Sequence, residues 1–90
     1  VLVFSEFGRR VADNASQGTD HGTAGPMLVL GSPVRGGLYG RPCSLTELAD
    51  GNLVHTTDFR SVYASLLESW LGVPSAEILG ASYPTLPLFA

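Results

Sequence analysis

The chain has no lysine, a single cysteine and no apolar run long enough to cross a bilayer, and each shortage excludes something. One cysteine, Cys43, rules out an internal disulfide, and with no acidic or basic signature around it the residue reads as a structural thiol. All five cationic residues are arginines, scattered at Arg9, Arg10, Arg35, Arg41 and Arg60, against eight acidic ones. A net charge of −3 without a concentrated basic face is no footprint for nucleic acid. Bilayer spans need roughly 18–20 consecutive apolar residues, so no membrane span is expected. No signal peptide is visible, and the chain opens directly on Val1-Leu2-Val3-Phe4. At 90 residues there is room for one small domain at most. A chain of this size buries only around 60–65% of its unfolded surface, which makes its core marginal. An apolar run that begins at residue 1 reads as a strand cut from a longer chain, so the expectation is a piece of one larger domain, whose N-terminal part is its missing partner.

Along the chain, Val1 to Phe4 is a short run of β-prone apolar residues, the pattern of a strand buried on both faces in a parallel sheet. Residues 10–25 are polar and rich in Gly, Asn, Ser and Thr, and read as one long loop. Loops beyond about 12–15 residues in compact domains are often functional, which raises interest in Asp20-His21-Gly22. Met27 to Leu30 reads as a second strand, Ser44 to Ala49 as a helical turn stopped by Asp50-Gly51, and Leu53-Val54 as an edge strand. The clearest element is a helix from Asp58 to Leu71. Phe59, Val62, Tyr63, Leu66, Leu67, Trp70 and Leu71 form one wide stripe at helical spacing, which predicts buried Leu66 and Trp70. Thr57 is the expected N-cap, Arg60 the expected partner of a neighbouring carboxylate, and Gly72 with Pro74 the stop. Ser75 to Leu79 reads as a further helical turn, and Tyr83 to Ala90 as an extended apolar tail that needs a body to dock on.

The chemistry-bearing residues follow the order strand, Ser5-Glu6-Phe7-Gly8, loop, Gly18-Thr19-Asp20-His21-Gly22, strand. Carboxylates at the C-terminal ends of parallel strands sit where open α/β sheets bind ligands. Imidazole and carboxylate together suit zinc, iron or manganese. Adjacent Asp20 and His21 point opposite ways in an extended segment, so they need not share an ion. Read without further context, Asp20 and His21 are better taken as a surface turn held by local hydrogen bonds.

Ser5-Glu6-Phe7-Gly8-Arg9, Gly18-Thr19-Asp20-His21-Gly22 and Thr57-Asp58-Phe59-Arg60, with Val62-Tyr63 and Trp70-Leu71-Gly72, together resemble the end of the bacterial domain of unknown function 1501 family, related to the alkaline phosphatase and sulfatase superfamily. The resemblance implies an α/β fold: the C-terminal fragment of an alkaline-phosphatase-like α/β/α sandwich with a central, largely parallel sheet. It implies two divalent metal ions (zinc, manganese or calcium) at the sheet edge and a nucleophile upstream that attacks a phosphate or sulfate ester. The superfamily's strand-end motif falls on Ser5-Glu6-Phe7-Gly8, and a later metal-binding histidine falls on His21. His21 is then the first metal-ligand candidate, Glu6 the next, and Asp20 a group that orients the histidine. Phe7 stands where the template has a ligating histidine, and phenylalanine cannot coordinate a metal.

Arg9, with Arg10, is the candidate oxyanion contact, because guanidinium suits bidentate phosphate or sulfate contacts, although a surface or ion-pair role is the better reading of both from sequence alone. His55, beside Thr56 and Thr57, reads as a solvent-facing connector with a ligand role as the alternative. Two functions remain: a metal-dependent hydrolase taking a small ester or anion, and a non-catalytic binding or scaffold relative with a degenerate metal site. The resemblance also points to export, to the bacterial periplasm or cell envelope.

Overall fold

A computed structural model describes residues 1–89, which fall into two compact units. The first comprises Val1–Leu30 and Arg41–Thr56; the second comprises Gly31–Gly40 and the segment from Thr57 onward.

The first unit is built from three antiparallel strand pairs. β1 (Leu2–Val3) pairs with β4 (Leu28–Val29), Leu2 opposite Val29 and Val3 opposite Leu28. The Val1 ammonium donates to the Leu30 carbonyl at 2.6 Å, and the Leu30 amide returns a bond to Val1 at 2.8 Å. The expected strand buried on both faces is corrected here. β1 has one antiparallel partner, and Val3 and Phe4 are exposed. A single two-residue ladder cannot cover two faces, so β-prone composition reports the strand without its surroundings.

The expected long loop over residues 10–25 is a hairpin. β2 (Gly8–Asp13) runs antiparallel to β3 (Thr19–Gly22), with Gly8 opposite Gly22 and Arg9 opposite His21. The register shifts before Asp13 meets Thr19, a bulge in β2. Asn14 organises the turn. Its Oδ1 accepts from the Ser16 and Gly18 amides at 2.9 and 3.0 Å, and its own amide donates to the Gly18 carbonyl at 2.7 Å. Asparagine side chains substitute for backbone partners in this way, and Gln17 completes the turn at a φ of 64°. The reason the hairpin escapes a hydrophobicity pattern is that neither β2 nor β3 has a clean apolar face; its pairing is carried by backbone and turn.

The expected helical turn at Ser44 to Ala49 is likewise corrected. β5 (Leu48–Ala49) pairs with β6 (Asn52–Leu53) around Asp50-Gly51. Both turn residues have positive φ, 50° and 78°, the requirement of a two-residue primed turn, for which Asp-Gly is a preferred pair. β6 lies against β2. The Arg10 side chain donates to the carbonyls of Asp50 and Gly51, and the Thr23 hydroxyl donates to the Leu53 carbonyl at 3.0 Å.

The second unit holds the helical part. α1 spans Phe59–Ser65 and passes directly into a π-helical segment, Leu66–Trp70. The N-cap is Asp58 rather than Thr57: its carboxylate accepts from the Arg60 amide at 2.9 Å and forms an ion pair with the Arg60 guanidinium at 2.7 Å. The guanidinium's own hydrogen bonds to the Asp58 carboxylate, from Nε and a terminal nitrogen, are the main reason it is held above its ordinary range. Val62 and Ala64 are buried, but Trp70 is 59% exposed and Leu66 only half-buried, which corrects the predicted stripe. The buried face of α1 runs through Ser61, Val62, Ala64 and Ser65, and Phe59, the first residue of the stripe, is already exposed. After Ser65 the bonding becomes i→i+5, with the Leu71 amide donating to the Leu66 carbonyl at 3.0 Å, and a 3.6-residue stripe no longer applies.

α2 (Ser75–Leu79) matches expectation and ends at Gly80 in the left-handed conformation. The tail is extended, as expected, and docks within its own unit: Leu88 is buried, its carbonyl accepts from the Arg35 amide at 2.7 Å, and Val34 bridges to Phe89. Ser65, fully buried, donates to the Ser61 carbonyl and accepts from the Leu86 amide, both at 2.7 Å. The last residue of the expected tail, Ala90, lies outside the described residues.

Candidate metal and oxyanion site

The β2–β3 hairpin brings together residues that are far apart in the sequence. Arg9 and His21 are direct cross-strand partners, and both are exposed. Antiparallel partners project to the same face of a ladder, so the hairpin presents guanidinium and imidazole side by side. Two glycines permit this. A Cβ at Gly8 would sit 1.6 Å from the Ala24 carbonyl oxygen, and one at Gly22 would sit 2.8 Å from the Arg9 carbonyl carbon.

Phe7 closes the group. Its ring stacks on the His21 imidazole with centroids 3.5 Å apart and planes 16° apart, and the Arg9 guanidinium lies 5.2 Å from the same ring's centroid. Phe7 therefore covers one face of His21 and leaves the ring edge, where the nitrogens are, open. Arg9 donates one bond to the Thr19 carbonyl at 2.7 Å, which orients the guanidinium along the hairpin. A guanidinium has five donors, so one backbone bond still leaves a pair able to take an oxyanion in the plane.

Asp20 behaves differently. Its carboxylate accepts from the Asn14 side-chain amide at 3.1 Å and so belongs to the turn. As the neighbour of His21 on one strand, it faces the opposite side of the ladder. Glu6 is exposed on the segment between β1 and β2. The structure thus joins His21 with Arg9 and Phe7, and ties Asp20 to Asn14, a residue that composition alone marked only as loop. The Asn14-to-Gly18 spacing was the available signal for it. Among the described residues, no group of three or more His, Cys, Asp and Glu side chains is placed to hold a metal ion. What this chain itself assembles is an exposed imidazole beside an exposed guanidinium.

The family described as "Protein of unknown function (DUF1501)" matches residues 1–69, and the chain belongs to that family. The match takes in both the Ser5-to-Arg9 and the Gly18-to-Gly22 motifs. No curated protein matches the chain, and no solved structure does. No helix among the described residues is long and apolar enough to cross a membrane.

Proposed function

We propose that the chain is the C-terminal part of a metal-dependent hydrolase of phosphate or sulfate esters, within an alkaline-phosphatase-like α/β/α sandwich. In this reading His21 is a metal ligand, Glu6 a further ligand, Asp20 a support of the turn, and Arg9 the contact to the ester's oxyanion. The observation that supports it is the cross-strand pairing of Arg9 with His21, because an ester oxyanion held by Arg9 lies next to whatever His21 binds. A divalent zinc, manganese or calcium ion bound there supplies the Lewis acid that polarises the ester oxygen. His21 offers a nitrogen lone pair at its exposed edge; Phe7 limits water on the ring's other side; Arg9 orients the substrate and offsets its charge. The remaining ligands and the nucleophile come from upstream sequence.

The test is elemental analysis of the purified full-length protein, with hydrolysis of aryl phosphate and aryl sulfate esters. His21→Ala is expected to lose metal and activity together, and Asp20→Asn to retain metal because its carboxylate serves Asn14. Metal lost from Asp20→Asn but kept by His21→Ala would overturn the assignment of residues. A second reading has its own observation: with Phe7 stacked on His21, the position of a second histidine is filled by a ring that cannot ligate. A wild-type protein that binds no divalent metal would favour this reading, a binding or scaffold protein with a degenerate site.

A further inference from the structure

A concavity in the first unit, of about 320 Å³, is lined by side chains that the hairpin site does not use. Ligand pockets occupy roughly 300–1,000 Å³, so this one suits a small molecule only. Its ionisable residues are Arg41, Glu47 and His55, and its apolar walls are Pro42 and Val54. Its frame is tied by hydrogen bonds. The Thr56 hydroxyl donates to the Arg41 carbonyl and joins two segments distant in sequence. Ser44 Oγ accepts from the Thr46 and Glu47 amides at 3.2 and 3.0 Å, which sets the backbone from which the Glu47 carboxylate extends. The β5–β6 turn places the rest: Leu48 pairs with Leu53, so Glu47 leads into one strand and Val54 and His55 follow the other.

Exposed opposite charges gain little from pairing in water, so those lining an open concavity stay available to a ligand. Here the only ion pair among the described residues is Arg60 with Asp58, so Arg41 and Glu47 line one space without meeting. The two hydroxyls are occupied by the frame, which leaves guanidinium and imidazole on one side of the chemistry and a carboxylate on the other. We propose that this cavity binds a small zwitterion, an amino acid or similar amine-bearing carboxylate. Arg41 and His55 take its carboxylate, Glu47 takes its ammonium group, and Pro42 and Val54 pack against the carbon chain between them. A bare oxyanion leaves Glu47 as a repulsive neighbour, and a bare amine leaves Arg41 so; only a molecule with both charges satisfies the three residues together. The inference stands independently of the hydrolase reading.

Isothermal titration calorimetry on the full-length protein tests it with glycine, β-alanine and γ-aminobutyrate as probes of increasing charge separation. Acetate, ethylammonium and inorganic phosphate serve as single-charge controls. At least one zwitterion is expected to bind saturably and at least tenfold more tightly than every control. Arg41→Gln and Glu47→Gln are each expected to weaken that binding at least tenfold. Both side chains are exposed and unpaired, so circular dichroism should match the wild type. The proposal is overturned if no zwitterion gives a saturable signal, if phosphate or acetate binds as well as the best zwitterion, or if Glu47→Gln leaves the affinity unchanged.

Discussion

The Phe7 ring lies flat on the His21 imidazole, 3.5 Å between centroids, at the edge of a hairpin whose other strand supplies Arg9. A face-on stack of this kind places the histidine ring protons in the shielding cone of the phenyl ring. In a proton NMR spectrum the His21 ring signals are expected upfield of free histidine. Phe7→Leu is expected to return them towards the free positions, and Asp20→Asn to leave them in place. Identical His21 shifts in the wild type and Phe7→Leu would show that the rings do not stack in solution.

Ser65 is expected to be the most sensitive small residue of the second unit. It is fully buried, and its hydroxyl both donates to Ser61 and accepts from the Leu86 amide. Ser65→Ala keeps the volume nearly unchanged but strands the Leu86 amide, at a cost of about 1–3 kcal/mol for an unsatisfied polar group. Urea unfolding measures this as a lower midpoint with an unchanged slope. A midpoint equal to that of the wild type would mean that the tail does not rely on Ser65.

Gly8→Ala is expected to disturb the hairpin, because the new Cβ meets the Ala24 carbonyl oxygen, backbone that has no rotamer to change. Overpacking of this kind costs about 1–3 kcal/mol, and more where backbone cannot shift. Gly36→Ala is the control: nothing lies within 4 Å of its Cβ position, so the expected change falls within about 0.5 kcal/mol. Thermal denaturation of the two variants side by side decides the matter.

Asp58 caps α1, and removing it has a separable signature. Asp58→Ala loses the acceptor for the Arg60 amide and is expected to cost about 0.5–2 kcal/mol. Asp58→Asn keeps a capping oxygen but gives up the ion pair with Arg60, and is expected to stay closer to the wild type. If both variants lose equal stability, the ion pair outweighs the cap.

The 90-residue chain on its own is expected to self-associate. Val1, Phe4, Leu28 and Leu30 are exposed around a two-strand ladder, and Trp70, Leu71 and Ile78 are exposed in the helical unit. Short unpaired edges and large apolar exposure both favour association. Sedimentation velocity across a range of concentrations checks this, and a monomer throughout that melts cooperatively would contradict it.

Three motifs in order were enough to read the family, and local rules were enough for several elements. The helix start near Asp58, the Arg60 partnership with a carboxylate, the stop at Gly72, the short α2 and the extended tail all follow from capping, charge and chain stiffness within a few residues. The sequence also nominated His21 and Arg9, because their chemistry is a property of the side chains alone. Three things were decided only by the tertiary structure. Arg9 faces His21 because two polar segments pair through backbone bonds and an Asn14 turn, with no apolar alternation to announce the register. Asp50-Gly51 carried a legible hairpin signal, yet the flanking residues are few and apolar enough to read as a helical turn; the strand partner settles it. The buried face of α1 is made by Ser61, Val62, Ala64 and Ser65 and not by Phe59 or Trp70, because what packs on the helix, together with the change to i→i+5 bonding after Ser65, chooses the face, and apolar spacing carries neither.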